Sequence, residues 1–262
     1  MRRPRSRQAR EQSGPRDRPV LDEFATDARS VGSLHGSARG RRNITGRLGA
    51  MGRLAPLKGN RLLDIGCGTG EYTRELAQTF AAVDAIDIEP ERLELFSSDT
   101  PSNVTLTAMS ASTLQFPDET FDVVTMIEVL EHLADPVGSL TEAARVLTPS
   151  GVLLITTPNR RWPIEQHGVL IGQRRFGGIA APGLVWIKPL HRRLSRADAF
   201  SARDLRRLAG DSGLRVTGVT YMMPPLDSLG EGSRVHRLLD RAEAGRLQSF
   251  GQTIVASLVV AL

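Results

Sequence analysis

Two carboxylates and an imidazole lie close together in the stretch MIEVLEHL (126–133), at the end of an apolar run. Glu128, Glu131 and His132 are residue types that bind divalent cations, and a histidine is also the commonest general base. If 129–133 turn helically, the three side chains share one face at positions i, i+3 and i+4. The stretch therefore suits a metal site, a catalytic base or merely the start of a surface helix.

A glycine-rich loop follows an apolar segment in LLDIGCGTGEY (62–72). Gly66, Gly68 and Gly70 have the spacing G-x-G-x-G, which is not the G-x-G-x-x-G of dinucleotide binding, and no P-loop lysine follows. Glycine permits positive φ and lets a ligand lie against bare backbone. The carboxylate of Asp64, just before the loop, suits a ligand with an ammonium group better than one with a pyrophosphate.

A fourth carboxylate ends the next apolar segment, in AIDIEPERL (85–93). Asp87 lies 19 residues after Gly68, at the carboxyl edge of a strand predicted beside the first one. A carboxylate there can accept hydrogen bonds from both hydroxyls of a ribose. Asp64, the loop and Asp87 together are stronger evidence for a nucleoside-bearing ligand than a glycine loop alone.

Alternating strands and helices must position these residues. Apolar runs predict five buried strands, at 61–66, 82–87, 104–109, 121–127 and 151–157, and two final strands, at 214–222 and 252–262. Amphipathic segments predict helices at 71–80, 90–97 and 136–147, and a fourth that opens at Ser201 with Asp204 in a capping-box position and stops at Gly213. Strand–helix alternation of this kind gives a parallel sheet covered on both faces.

The charge distribution divides the chain into parts. The net charge is +5, and residues 1–20, with seven Arg against two acids, account for all of it. These residues predict a disordered tail, followed by a helical lead-in at 21–59 and one domain at 60–262. Because the 242 residues after the tail sum to zero net charge, binding to nucleic acid is disfavoured. The single cysteine, Cys67, cannot form an intrachain disulfide, and with no N-terminal apolar stretch of the secretory type a cytoplasmic setting is expected.

An insertion at 158–200 follows the fifth predicted strand, where it opens over the ligand edge of the sheet. Trp162, Glu165 and His167 are its candidates for the site of a small-molecule acceptor. Basic residues without acids flank an apolar run within 173–197. That segment suits an amphipathic or anionic acceptor, a peripheral contact with a membrane surface, or simply a solvated cap.

The motifs LLDIGCGTG, IDIEP, LQFPDETFDVV and EVLEHL follow one another as in the class I S-adenosylmethionine (SAM)-dependent methyltransferases, which the sequence resembles. The resemblance implies a Rossmann-like, doubly wound and mostly parallel sheet of seven strands, with the last strand antiparallel. It also implies SAM as cofactor, bound by residues along the carboxyl edge of that sheet. Asp64 and Gly66, Gly68 and Gly70 would hold its methionine end with Glu128 nearby, Asp87 its ribose, and Ile88, Ser110 and Ala111 its adenine.

The E-x-x-E-H segment resembles that of the ubiquinone-biosynthesis O-methyltransferases, where it is associated with a divalent metal. By this resemblance Glu128, Glu131 and His132 would be ligands of a metal that lowers the pKa of the acceptor hydroxyl. The alternative is metal-free, with His132 as general base, and Glu131 and His167 are further catalytic candidates. The predicted function is methylation of a small molecule, with oxygen favoured as the acceptor atom. An RNA methyltransferase and a non-catalytic SAM-binding regulator are the alternatives.

Overall fold

Seven strands form one sheet, and two more form a separate hairpin. The computed structural model describes residues 41–171, 174–176, 182–195, 197–224, 241 and 245–261. The strands are β1 (Gly59–Ile65), β2 (Phe80–Asp87), β3 (Val104–Ala108), β4 (Phe121–Ile127), β5 (Leu147–Pro158), β6 (Val169–Ile171), β7 (Arg174–Phe176), β8 (Leu214–Met222) and β9 (Thr253–Val260). The α-helices are α1 (Arg41–Gly52), α2 (Glu71–Leu76), α3 (Pro90–Ser97), α4 (Pro136–Val146), α5 (Lys188–Leu194) and α6 (Ala202–Asp211).

The order of the large sheet is β3-β2-β1-β4-β5-β9-β8. Strands β1 to β5 pair in parallel, whereas β9 runs antiparallel to both of its neighbours, β5 and β8. This confirms the predicted fold, including the antiparallel insertion of the last strand. The strand order reverses at β1, so the carboxyl ends of β1, β2 and β4 border one crevice, which is where ligands bind in sheets of this type.

The central strands are nearly continuous apolar runs because both of their faces are buried. Leu63, Phe121, Met126 and Ile155 are each 1% exposed or less, because helices cover both faces of the sheet. Helix α2 ends at Leu76, four residues before the predicted end, since the chain must turn there to enter β2.

The predicted start and stop of α6 are confirmed. Ser201 and Asp204 form a capping box, and Gly213 has a left-handed φ of +71°. In the predicted lead-in, α1 is the helix described, while the predicted tail at 1–20 and residues 21–40 lie outside the described residues.

The insertion contains more regular structure than the sequence predicts. Strands β6 and β7 form a hairpin, a 3₁₀ turn covers Leu184–Trp186, and α5 follows. Three-residue strands are too short to show a period, which is why the pattern failed there. Backbone hydrogen bonds close the base of the insertion, from Phe200 N to Pro158 O (3.1 Å) and from Arg160 N to Phe200 O (2.8 Å). Among the described residues, no helix has the length and apolar character needed to cross a membrane.

Candidate functional site

The glycine loop leaves β1 with three glycines in left-handed conformations, at φ values of +73°, +57° and +83° for Gly66, Gly68 and Gly70. A Cβ on Gly66 would lie 2.4 Å from a methyl of Val129, and one on Gly70 would lie 2.4 Å from the ring of Phe96. A Cβ on Gly68 would meet no atom within 4 Å. The outer two glycines are therefore needed for packing, and Gly68 marks the open side of the loop.

Asp87 ties the end of β2 to this loop. Its Oδ2 accepts a hydrogen bond from the backbone N–H of Gly68 (2.9 Å), and its Oδ1 accepts one from the N–H of Glu89 (3.0 Å). Each oxygen keeps a lone pair that could accept from a ribose hydroxyl. The next side chain, Ile88, is 63% exposed beside the crevice. The geometry is compatible with the predicted ribose and adenine contacts.

Asp64 lies deeper than a ligand-contacting carboxylate was expected to lie. It is 2% exposed, and its two oxygens accept hydrogen bonds from the hydroxyls of Thr73 and Thr125, each at 2.7 Å. Burial raises the pKa of Asp64 from 3.8 to about 6, although the two threonine hydroxyls oppose the shift. Asp64 thus supports the strand–loop junction from within, and its contact with a methionine ammonium group stays a prediction.

Asp64→Asn should stabilise the ligand-free protein at pH 8. Because the folded-state pKa is raised, the contribution of protonated Asp64 to stability is fully present below pH 3.8 and is lost as pH rises through about 6. Asparagine carries no such charge, so the free energy of unfolding should exceed wild type by up to about 3 kcal/mol at pH 8.

The stability difference for Asp64→Asn should disappear below pH 3.8, and urea unfolding at several pH values measures it. Asp211→Asn, which removes an exposed carboxylate from α6, is the control and should change stability by less than about 0.5 kcal/mol. A loss of stability at pH 8 equal to that at pH 4 would show that the lost hydrogen bonds dominate.

The predicted adenine position after β3 is formed by short polar and apolar side chains. Ser110 Oγ lies 3.0 Å from Ser112 Oγ, and Ala111 is buried. A serine hydroxyl so placed retains hydrogen-bonding capacity for an adenine amine. Both assignments stay predictions.

The condition of a helical turn over 129–133 is met only in part. Glu128 has a left-handed φ of +57°, and only Leu130–His132 form a 3₁₀ turn. Consequently the three side chains do not share one helical face: Glu131 is 3% exposed, whereas His132 is exposed. The N–H of Glu128 still donates to Thr156 O (3.0 Å), so the left-handed residue directly follows the last pairing of β4 with β5.

Arg47 of α1 is a site residue that sequence analysis missed. It is 9% exposed, its Nη1 donates to the hydroxyl of Tyr72 (3.1 Å), and its Nη2 lies 3.5 Å from Glu128 Oε1. Burial would lower the pKa of Arg47, but Glu128 and Tyr72 raise it above its usual value. A charged guanidinium is thereby placed between the glycine loop and the end of β4. Nothing in the weakly patterned lead-in distinguishes this arginine from the others.

The end of β4 and the insertion bring four ionisable side chains together. Glu131 Oε2 accepts from the hydroxyl of Thr157 (3.1 Å), and Glu131 Oε1 lies 3.7 Å from Nε2 of His167. The ring of His132 meets that of His167 edge to face, with centroids 4.9 Å apart. Glu165 Oε1 lies 3.6 Å from His167 Nδ1. The insertion therefore contacts the E-x-x-E-H segment.

The pKa values of the two carboxyl groups in this cluster shift in opposite directions. Burial raises the pKa of Glu131 well above the ordinary value, and the nearby Glu128 raises it further. Burial would also raise the pKa of Glu165, but hydrogen bonds from His167 and His191 hold it below its usual range. Two carboxyl groups with opposite shifts beside two histidines are typical of sites that move a proton.

A metal would require a different ligand set from the predicted one. The ligand atoms of Glu131, His132 and His167 lie within 4.8 Å of one another. Glu128 is not part of this group, because Thr156 and Arg47 hold its carboxylate. Glu131 Oε1 accepts no hydrogen bond from the described residues. A carboxylate with two imidazoles fits a divalent cation chemically, so the metal stays a prediction, with His167 in the place of Glu128.

Residues 63–155 match the family described as "Methyltransferase domain". A ubiquinone biosynthesis O-methyltransferase of Nitrosospira multiformis is 34% identical over 206 residues, which cover 74% of this chain and 80% of the relative. Another protein of that name, from Parvibaculum lavamentivorans, is 28% identical over 63% of this chain, and the chain spans 64% of its length. A solved SAM-dependent methyltransferase of Mesorhizobium loti shares the fold, with a TM-score of 0.59 at 17% identity over 86% of this chain and 99% of that one.

The seven-stranded order with its antiparallel insertion agrees with these likenesses. So do the left-handed glycine loop and the carboxylate that binds it from the end of β2. The chain belongs to the class I SAM-dependent methyltransferase family.

Proposed function

We propose that the protein transfers the methyl group of SAM to an oxygen atom of a small-molecule acceptor. The observation that carries the proposal is the composition of the crevice at the carboxyl edge of the sheet. On one side Asp87 and the open face of Gly68 suit an adenosine. On the other side the exposed imidazole of His132 lies at the end of β4, next to the buried Glu131.

Arg47 completes the cofactor half of this proposal. A guanidinium beside the glycine loop can pair with the carboxylate of the methionine end of SAM, replacing its 3.5 Å interaction with Glu128 Oε1. Glu128 would then be released toward the ammonium group of the same ligand. The two ends of an α-amino acid would thus meet one cation and one anion.

The chemistry requires placement and the removal of one proton. The sulfonium methyl group is already activated, so transfer depends mainly on in-line alignment with the acceptor oxygen. A hydroxyl acceptor must lose its proton, and His132 is the side chain placed to accept it. A divalent cation, if bound by Glu131, His132 and His167, would supply instead a lower pKa for that hydroxyl.

The acceptor class is proposed from the relatives and from the surface of the insertion. Two relatives are named for ubiquinone biosynthesis, so a quinone precursor is the acceptor to test first. Trp186, Ile187 and Leu190 are 60%, 55% and 42% exposed beside the cationic Lys188. Such a surface suits an amphipathic acceptor or contact with a membrane surface that delivers one.

The experiment is incubation of the protein with methyl-labelled SAM and fractionated cell extract, followed by identification of the labelled product. We expect label in a small, extractable molecule with a new methoxy group. Label in the RNA fraction would favour the nucleic-acid alternative. Tight SAM binding with no transfer to any fraction would favour a regulatory SAM-binding protein.

A further inference from the structure

A buried pair of ionisable side chains, Glu165 and His191, lies behind His167 in the insertion. Glu165 follows β5 closely, whereas His191 belongs to α5, and the two are 5% and 4% exposed. Glu165 Oε2 is hydrogen-bonded to His191 Nε2. Glu165 Oε1 accepts the backbone N–H of His167 (2.9 Å) and also lies 3.6 Å from Nδ1 of that ring. The two oxygens of Glu165 therefore connect the two histidines.

The ring of His167 lies between two carboxyl groups from different parts of the fold. Its Nδ1 faces Glu165, whose low pKa makes it an ionised acceptor, and its Nε2 lies 3.7 Å from Glu131 Oε1. A proton on Nδ1 places an N–H toward the carboxylate of Glu165, 3.6 Å away, and leaves the Nε2 lone pair on the side of Glu131. Carboxylate–histidine contacts of this kind select the tautomer and orient the ring.

We propose that Glu165 and His191 are positioning residues, which hold the ring of His167 with Nδ1 toward Glu165 and Nε2 toward Glu131 and so fix the surface against which His132 packs. The pair acts through His167 and does not touch the reacting atoms. The kinetic part of the test rests on the proposed function, whereas the orientation of the His167 ring can be measured without turnover.

If Glu165 and His191 served only to pack the insertion, their burial would lower its stability without a compensating benefit. Burying a carboxylate and an imidazole costs several kcal/mol unless each is well paired, and apolar side chains of similar volume would stabilise the insertion at least as well. The backbone hydrogen bonds of Phe200 and Arg160 already close the base of the insertion. A further backbone bond, from Asp198 N to Glu131 O (2.9 Å), joins its far end to the E-x-x-E-H segment.

The test uses three variants of the full chain: Glu165→Gln, His191→Phe and His191→Gln. Histidine-labelled NMR at one fixed pH reports the tautomer of His167, assigned with a His167→Gln sample. We expect one Nδ1–H tautomer in the wild type and a mixture, or the other tautomer, in Glu165→Gln. The kcat/KM for the acceptor should fall about 10–100-fold through kcat, while the Kd for SAM changes less than about twofold.

The two His191 variants separate positioning from packing. Glutamine keeps an N–H donor for Glu165 whereas phenylalanine keeps only the ring, so His191→Gln should retain more turnover and more of the wild-type tautomer. Glu142→Gln makes the same carboxylate-to-amide change in α4, where Glu142 binds Arg145. This control should leave the tautomer of His167 and the turnover unchanged.

Two outcomes would overturn the proposal. One is an unaltered His167 tautomer and unaltered kcat in Glu165→Gln. The other is a loss of activity that follows melting temperature alone across all variants, including Glu142→Gln. If the wild type binds SAM but methylates no acceptor, the proposed function fails, and the NMR result alone then supports or overturns the positioning role.

Discussion

His132→Ala should lower kcat for the methyl acceptor by about 10²–10⁴-fold, the range that a positioned acid–base group contributes. His132 is the exposed member of the cluster at the end of β4, so its loss removes the group that the acceptor can reach. The Kd for SAM should change less than about twofold, since no cofactor contact is assigned to this ring. Steady-state kinetics with the identified acceptor and calorimetry with SAM measure the two effects.

A chelator distinguishes the two explanations of a low His132→Ala rate. If EDTA-treated, metal-free protein keeps full activity while His132→Ala loses it, His132 acts as a base and the metal hypothesis is wrong. If the treated wild type falls to the level of the variant and recovers on adding zinc, manganese or magnesium, the histidine acts as a ligand. Full activity of His132→Ala would contradict both roles.

Asp87→Ala should weaken SAM binding by about 10–150-fold, because a charged hydrogen-bond pair to the ribose contributes about 1.5–3 kcal/mol. The structure adds a second consequence: the backbone N–H groups of Gly68 and Glu89 lose their acceptor. We therefore also expect about 1–3 kcal/mol lower stability, since these groups are partly buried. Calorimetry and thermal unfolding measure the two losses separately.

The control for Asp87 lies on the same strand. Asp84 binds Arg61 (2.7 Å) away from the glycine loop, so Asp84→Ala should leave SAM affinity unchanged. Asp87→Asn keeps an amide oxygen that can accept one of the two backbone hydrogen bonds, and it should lose less stability than Asp87→Ala. Unchanged SAM affinity in both Asp87 variants would remove this residue from the ribose role.

The sheet was predictable because its central strands are buried and each strand carries its own signal. The apolar runs that became β4 and β5 are nearly continuous, and the capping box at Ser201 determines where α6 begins. The glycine loop was predictable because it is also marked by its own residues. Only glycine fits the left-handed positions at Gly66 and Gly70, which pack against Val129 and Phe96.

The rest of the site depends on contacts between distant segments, which no local pattern shows. Arg47 and Glu128 are far apart in the sequence and meet only because α1 lies beside the end of β4. The short strands β6 and β7 have no detectable period, and His191 was not recognised among the basic residues around it. The conformation of Glu128 was missed because a left-handed backbone is rare for glutamate.

The hydrogen bonds of Asp87 also bear on how the reaction ends. The N–H groups of Gly68 and Glu89 hold this carboxylate in place, so we expect an adenosine to bind there with little rearrangement. S-adenosylhomocysteine, the spent cofactor, presents the same adenosine to that surface and lacks only the methyl group and its charge. We therefore expect the spent cofactor to bind about as tightly as SAM and to compete with it, so that sustained turnover depends on its removal by another enzyme.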